Sequence, residues 1–210
     1  MNKIATTIAS LSFAGFAVAG VAPAPAPVLP PPVVQESTLS YNNFEVDWLH
    51  TEFDNEVFDL DGGDGAGARW VQSITEGFYF SVGGGWQPVD GNNGGTVDIW
   101  SASGGLGAYY AITPNFHLVG EVGALFYGYD NGPAGLDDND VSAYARPYLR
   151  AQWGPVELQA GATWANLDLT NEWSGFARLY FAVAQNWDLA AGVSAGETET
   201  TVNAGVRFRY

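Results

Sequence analysis

The chain has few side chains suited to acid–base or nucleophilic chemistry: two histidines and no cysteine in 210 residues. His50 lies in the stretch His50–Thr51–Glu52. In an extended segment this puts a carboxylate on the same face as the imidazole, where it would orient the ring for proton transfer. No serine is tied to His50 by spacing, so no nucleophile is expected there. By parity His50 points toward the apolar side of its segment. His117, directly after Phe116 at a tight turn, falls on the polar side and reads as a structural residue. No phosphate-binding loop, zinc signature or nucleophile elbow is present. The expectation is therefore no enzyme, no catalytic residue and no cofactor.

Carboxylates are the abundant reactive groups. The chain carries 23 Asp and Glu against 7 Lys and Arg, a formal charge of −16. Such a balance argues against nucleic acid, whose phosphates require Lys and Arg. Divalent cations are the natural counterparts of this charge. Asp59, Asp61 and Asp64 in DLDGGDG, and Asp137, Asp138 and Asp140 in DNGPAGLDDND, combine oxygen ligands with Gly turns. They are weak candidates for Ca²⁺, because their spacing departs from the EF-hand loop. Solvated acidic loops are the plainer reading.

The elements that carry these groups have period two almost throughout. In VELQAGATW (156–164), Val156, Leu158, Ala160, Ala162 and Trp164 share one face. Ten strands follow: 41–50, 65–74, 77–86, 97–111, 115–129, 141–153, 156–166, 174–184, 187–196 and 200–210. Most approach the length a tilted strand needs to cross a bilayer. The connections after strands two, four, six and eight are tight, and those after one, three, five and seven are expected to be long and polar. This sorting describes a closed antiparallel up-and-down transmembrane β-barrel rather than a sandwich. Ten strands are expected, with eight as the fallback. Pro147 falls inside strand six and removes a ladder donor, so a bulge or local break is expected there.

Three octamers repeat one shape: SITEGFYF (73–80), AITPNFHL (111–118) and AVAQNWDL (182–189). Each places an aromatic ring just past a tight turn. Phe78, Phe116 and Trp187, with Trp153 at the fourth turn, form one expected girdle at the short-turn rim. Trp70, Trp86, Trp100 and Trp164, with Phe126, form a second near the long loops.

If the apolar face of every strand is taken as the outside, the charges sort themselves. Arg69, Arg146, Arg150, Arg178, Arg207 and Arg209 all face in. So do Glu45, Asp47, Glu121, Glu157 and Asp188. A near-balanced set of opposite charges predicts an ion-paired lumen, with none of them meeting hydrocarbon. Many inward positions are glycine, among them Gly105, Gly107, Gly123, Gly161 and Gly205, which leaves room either for a narrow channel or for bulky Tyr, Arg and Gln side chains.

The N-terminal residues read as leader and spacer. Lys3 precedes an apolar stretch and an Ala-x-Ala site, so residues 1–19 are expected to be a signal peptide. Residues 20–39, rich in Pro and Ala, read as a periplasmic spacer, and residues 40–210 as the barrel.

Together, the leader, the strand and turn pattern and the closing strand VNAGVRFRY resemble the small outer-membrane β-barrel proteins of the OmpX and OmpA-barrel type. The resemblance implies a monomer in the cell outer membrane, in contact with outer-membrane lipid and lipopolysaccharide. It also implies that Val206, Phe208 and Tyr210 form the signal read by the barrel assembly machinery. Tyr210 departs from the commoner terminal Phe. The family spans adhesins, structural proteins, small channels and a few enzymes. A structural or surface-interaction role is therefore the first expectation, a narrow porin-like channel the second, and a lipid A-modifying enzyme a remote third.

Overall fold

The computed structural model describes residues 39–53, 60–91, 95–130, 139–167 and 170–210. The expected leader, most of the spacer, and Asp59, Asp137 and Asp138 lie outside them. Ten antiparallel strands run β1 (Asn43–Phe53), β2 (Gly62–Thr75), β3 (Phe78–Asp90), β4 (Thr96–Thr113), β5 (Phe116–Asp130), β6 (Asn139–Trp153), β7 (Val156–Leu167), β8 (Thr170–Ala184), β9 (Trp187–Ala195) and β10 (Glu199–Arg209). Each pairs with its sequence neighbours, and β1 pairs with β10, so the wall closes. Closure leaves no strand edge unpaired, which is the condition for placing a sheet in hydrocarbon. The eight-stranded fallback is overturned.

The wall is inverted relative to a soluble protein. Leu106, Val122 and Leu179 lie exposed along the middle of their strands on the outside. Arg207, Arg150, Glu121 and His117 are buried inside. Only a lipid solvent makes this distribution favourable, since water would face a continuous apolar belt.

Four turns on one rim have two residues each: Glu76–Gly77, Pro114–Asn115, Gly154–Pro155 and Gln185–Asn186. The three repeated octamers share a further device. In each, the β-ladder register slips by one residue just before the turn, between Ser73 and Thr75, Ala111 and Thr113, and Ala182 and Ala184. The extra residue is Ile74, Ile112 or Val183, each exposed. A bulge there strengthens the local twist and turns one more apolar side chain outward beside the aromatic that follows. The fourth turn, where Trp153 pairs with Val156, has no slip.

Two expectations need correction. The connection after β7 is not long, because β7 and β8 continue until only residues 168–169 separate them. Trp70 belongs to the short-turn girdle, not the loop-side one. Its indole N–H donates to the Tyr210 hydroxyl, and its ring meets Phe80 edge-on at 5.0 Å. At Pro147 there is a break and no bulge. The pairing with β5 runs unbroken through Gly120, while the pairing with β7 skips Arg146 and Pro147 and resumes in the same register.

Candidate functional site

Period-two alternation sends every second side chain of ten strands into one lumen. Five of the six barrel arginines and the five expected carboxylates meet there in three groups. Nearest the short turns, Glu157 is the hub. It accepts from Arg150 Nε at 2.9 Å, Arg207 Nη2 at 2.7 Å and Gln159 Nε2 at 2.8 Å. Arg207 Nε donates to Asp188 at 2.7 Å, and Arg209 Nε lies 3.0 Å from the same carboxylate oxygen. The Arg207 guanidinium also sits 3.6 Å over the Tyr180 ring. Farther up, Glu121 accepts from Arg69 Nη2 at 2.6 Å and from the Tyr79 and Tyr144 hydroxyls at 2.9 and 2.8 Å. Across the lumen, Arg178 pairs with Asp47 at 2.5 Å and Glu45 at 3.4 Å, and Tyr180 donates to Glu45. Arg146 stands apart: its Nε donates to the Thr163 hydroxyl at 3.1 Å, and it lies over the Tyr144 and Phe176 rings. Among the described residues it has no carboxylate within ion-pair distance.

Glycine decides how these groups fit. A Cβ on Gly107 would overlap the Tyr79 ring, and one on Gly105 or Gly123 would overlap Tyr144. The inward glycines thus accommodate tyrosine rings rather than widening a pore.

A feature absent from the sequence reading closes the short-turn mouth. Residues 39–42 enter the lumen ahead of β1, and Leu39 and Tyr41 are buried. The Tyr41 ring stacks on Tyr109 at 4.1 Å and 5°, and on Tyr79 at 5.1 Å. Arg150 covers it at 4.3 Å, and its hydroxyl lies 3.1 Å from His117 Nδ1. Burial pushes the Tyr41 phenol above its ordinary range, which keeps it protonated. The backbone is held as well. Arg150 Nη2 donates to Ser40 O, Ser73 N donates to Asn42 Oδ1, and Tyr210 N donates to Asn42 O. His117, fully buried, is the hydrogen-bonded wall of this socket. The only sequence signal was the parity of Tyr41, two residues before Asn43 on the inward register.

At the loop end, His50 Nδ1 lies 2.9 Å from Asp64, its Nε2 lies 3.8 Å from Glu52, and its ring stacks on Trp48. His50, Glu52 and Asp64 border a cleft of about 690 Å³ with Phe53, Asp61, Pro88 and Asp90. Among the described residues no three His, Asp or Glu side chains converge as a metal site. Asp140 instead accepts from the Tyr127 hydroxyl. The loop-side aromatics are Trp86 facing Trp100, Phe126, and Trp164 facing Trp173. Trp48 and Trp173, exposed on the same belt, were not anticipated. In the other girdle Phe78, Trp153 and Trp187 are exposed, Phe116 is half-buried, and Phe208 packs against Trp187 at 5.0 Å. Val206 and Tyr210 point outward on either side of Phe208.

No family model and no curated protein matches the chain. Solved barrels resemble it at low identity. The KdgM porin, solved in complex with disordered oligogalacturonate, is 10% identical over 79% of this chain and 99% of its own, with a TM-score of 0.43. Ail, the attachment invasion locus protein of Yersinia pestis, is 12% identical over 81% and 100%, with a TM-score of 0.41. The outer membrane protein OprG from Pseudomonas aeruginosa is 9% identical over 80% and 96%, with a TM-score of 0.44. At these values the likeness is to barrels as a class, and no ligand or partner is carried over from it.

Proposed function

We propose that this chain is an integral protein of the cell outer membrane whose closed barrel anchors acidic loops at the surface, where they meet divalent cations, lipopolysaccharide or another surface. The reading is structural rather than catalytic: no step is assigned to His50, to which no serine is tied by spacing. It takes the chain as a monomer, exported by residues 1–19 and assembled through the Val206–Phe208–Tyr210 strand. The apolar belt, bounded by two aromatic girdles, supports the membrane location.

One observation carries the closed-lumen part. The short-turn half of the barrel is crossed by Glu157, Arg207, Asp188, Tyr180, Arg150, Tyr79 and the inserted Tyr41, all buried. Ion passage requires a continuous wet path, and the paired groups here satisfy one another instead of water. Purified protein in a planar bilayer is therefore expected to show no open-state steps. Reproducible single-channel conductance would overturn this reading in favour of the narrow channel.

A further inference from the structure

Above the sealed half the lumen holds a cavity of about 250 Å³. Tyr180, Gln159 and Tyr148 border it on the short-turn side, and it extends toward the loops as far as Ser174 and Ser194. Its charged lining is Arg69, Arg146 and Arg178 against Glu45 and Asp47. Glu121, which pairs with Arg69 and faces Arg146 across the β5–β6 register, stands just outside that lining, so the charges around the cavity balance at three and three. What distinguishes Arg146 is its contacts: its Nε donates to the Thr163 hydroxyl and its guanidinium lies over the Phe176 ring, with no carboxylate within ion-pair distance among the described residues.

A second observation is independent of these contacts. Arg178 Nε is buried without a hydrogen-bond partner among the described residues, and so is Asn203 Oδ1. Both side chains line the cavity, and Gly192 sits between them in the register. A Cβ on Gly192 would lie 2.9 Å from Asn203 Oδ1 and 3.1 Å from Arg178 Cγ. The missing side chain is what lets these two polar groups share the wall. A buried guanidinium N–H with no acceptor is costly, and a ligand that accepts from it recovers that free energy. The amide of Asn203 turns a donor inward by simple rotation of its side chain.

We infer that this cavity is a binding site for a small monoanion, held between the Arg146 guanidinium and the unsatisfied Arg178 Nε–H. Thr163, Ser174 and Asn203 supply further donors around it. The volume corresponds to roughly eight waters at ~30 Å³ each, which accommodates a halide with its remaining waters or a short-chain carboxylate. The Phe176 face accepts the alkyl end of such a carboxylate. Access is from the loop side, since the Tyr41 socket and the Glu157 hub close the other. The site goes beyond the sealed-barrel reading and stands or falls separately from it: conductance tests the seal, occupancy tests the cavity.

Two measurements decide it. In crystals of the unaltered protein soaked in sodium bromide, an anomalous peak is expected within hydrogen-bonding reach of the Arg146 guanidinium. Bromide only on the exterior, or none, overturns the inference. In solution, saturation-transfer NMR on the detergent-folded protein with sodium propionate, blanked against empty micelles, should show transfer to the propionate methyl protons. Losing the charge-assisted contact in Arg146→Gln is expected to weaken binding about tenfold or more, with Arg146→Lys retaining part of it. Equal transfer in the unaltered and Arg146→Gln proteins overturns the inference. Arg146 makes no ion pair at contact distance among the described residues, so its replacement removes none of the described pairs. The bromide soak decides the matter even if the variant fails to fold.

Discussion

Replacing Glu157 with Gln is the sharpest probe of the lumen. Glu157 bridges two arginines, each at 2.7 Å, with side chains 7%, 3% and 2% exposed for Glu157, Arg150 and Arg207. At this burial, solvent screening gives little relief. The amide is nearly isosteric, so the change removes charge rather than volume. Two guanidiniums then face a neutral group in a low-dielectric site. Removing one partner of a buried pair costs about 3–5 kcal/mol, because the remaining charge is left uncompensated. Arg207 keeps Asp188, so most of the penalty falls on Arg150. The double variant Arg150→Gln/Glu157→Gln removes that stranded charge. It also loses the guanidinium over Tyr41 and the bond to Ser40 O, each contributing about 1–2 kcal/mol. The double variant should therefore lie within about 1 kcal/mol of the worse single variant, far short of additivity. The assay is reversible urea unfolding of barrels refolded into lipid vesicles, followed by tryptophan fluorescence and by mobility on unheated gels. A Glu157→Gln loss below about 1 kcal/mol, or additive single losses, would show that the pair is hydrated and weak, and the closed lumen would lose its physical basis.

Two further perturbations separate the wall from the socket. Leu106, 61% exposed at mid-strand on the outside, should tolerate Arg poorly, at about 2–4 kcal/mol. The same change at Ile112, the bulge residue at the rim, should cost about 0–1 kcal/mol. Equal losses in vesicle unfolding would argue that hydrocarbon does not wet the wall at Leu106. Tyr41→Ala should cost about 3–5 kcal/mol through the emptied stack, whereas Tyr41→Phe, which removes only the bond to His117, should cost about 1 kcal/mol. Similar losses for both would show that the hydroxyl rather than the ring holds the segment.

Strand number, direction and facing were legible because period two, the turn residues and a continuous apolar face all select the same arrangement. Inward placement of the arginines followed from that parity alone. The pairing among them did not, because Arg178 meets Asp47 across 131 positions of sequence and only the closed register brings them together. The glycines were visible as inward gaps, but each gap is filled from elsewhere: Gly107 by Tyr79 on the neighbouring strand and Gly123 by Tyr144. Trp70 was assigned to the wrong girdle because β2 starts earlier than its alternation suggests, at Gly62. Glycine-rich residues 62–65 extend the strand toward the loops and leave Trp70 near the opposite rim. The Tyr41 socket escaped notice because Tyr41 continues the inward parity of strand one, and alternation alone does not distinguish a ring inserted ahead of β1 from a residue of the wall.

The charge distribution has a further consequence for where the protein can act. Five buried or half-buried carboxylates sit beside six arginines inside the wall, so the barrel body is close to neutral. Almost all of the formal −16 therefore resides outside the lumen. Asp64, Asp90, Glu52 and Glu199 belong to the loop end of their strands, and Asp61 immediately precedes β2 there. A field concentrated at one end acts over about 8–10 Å at physiological salt. It draws cations to the loop face and leaves the short-turn mouth unaffected. That mouth is held by stacked rings, an arginine over one of them and backbone hydrogen bonds, which depend little on ionic strength. Added salt should therefore weaken whatever the loops attract while leaving the seal intact, and the two ends of this barrel respond to different solution conditions for that reason.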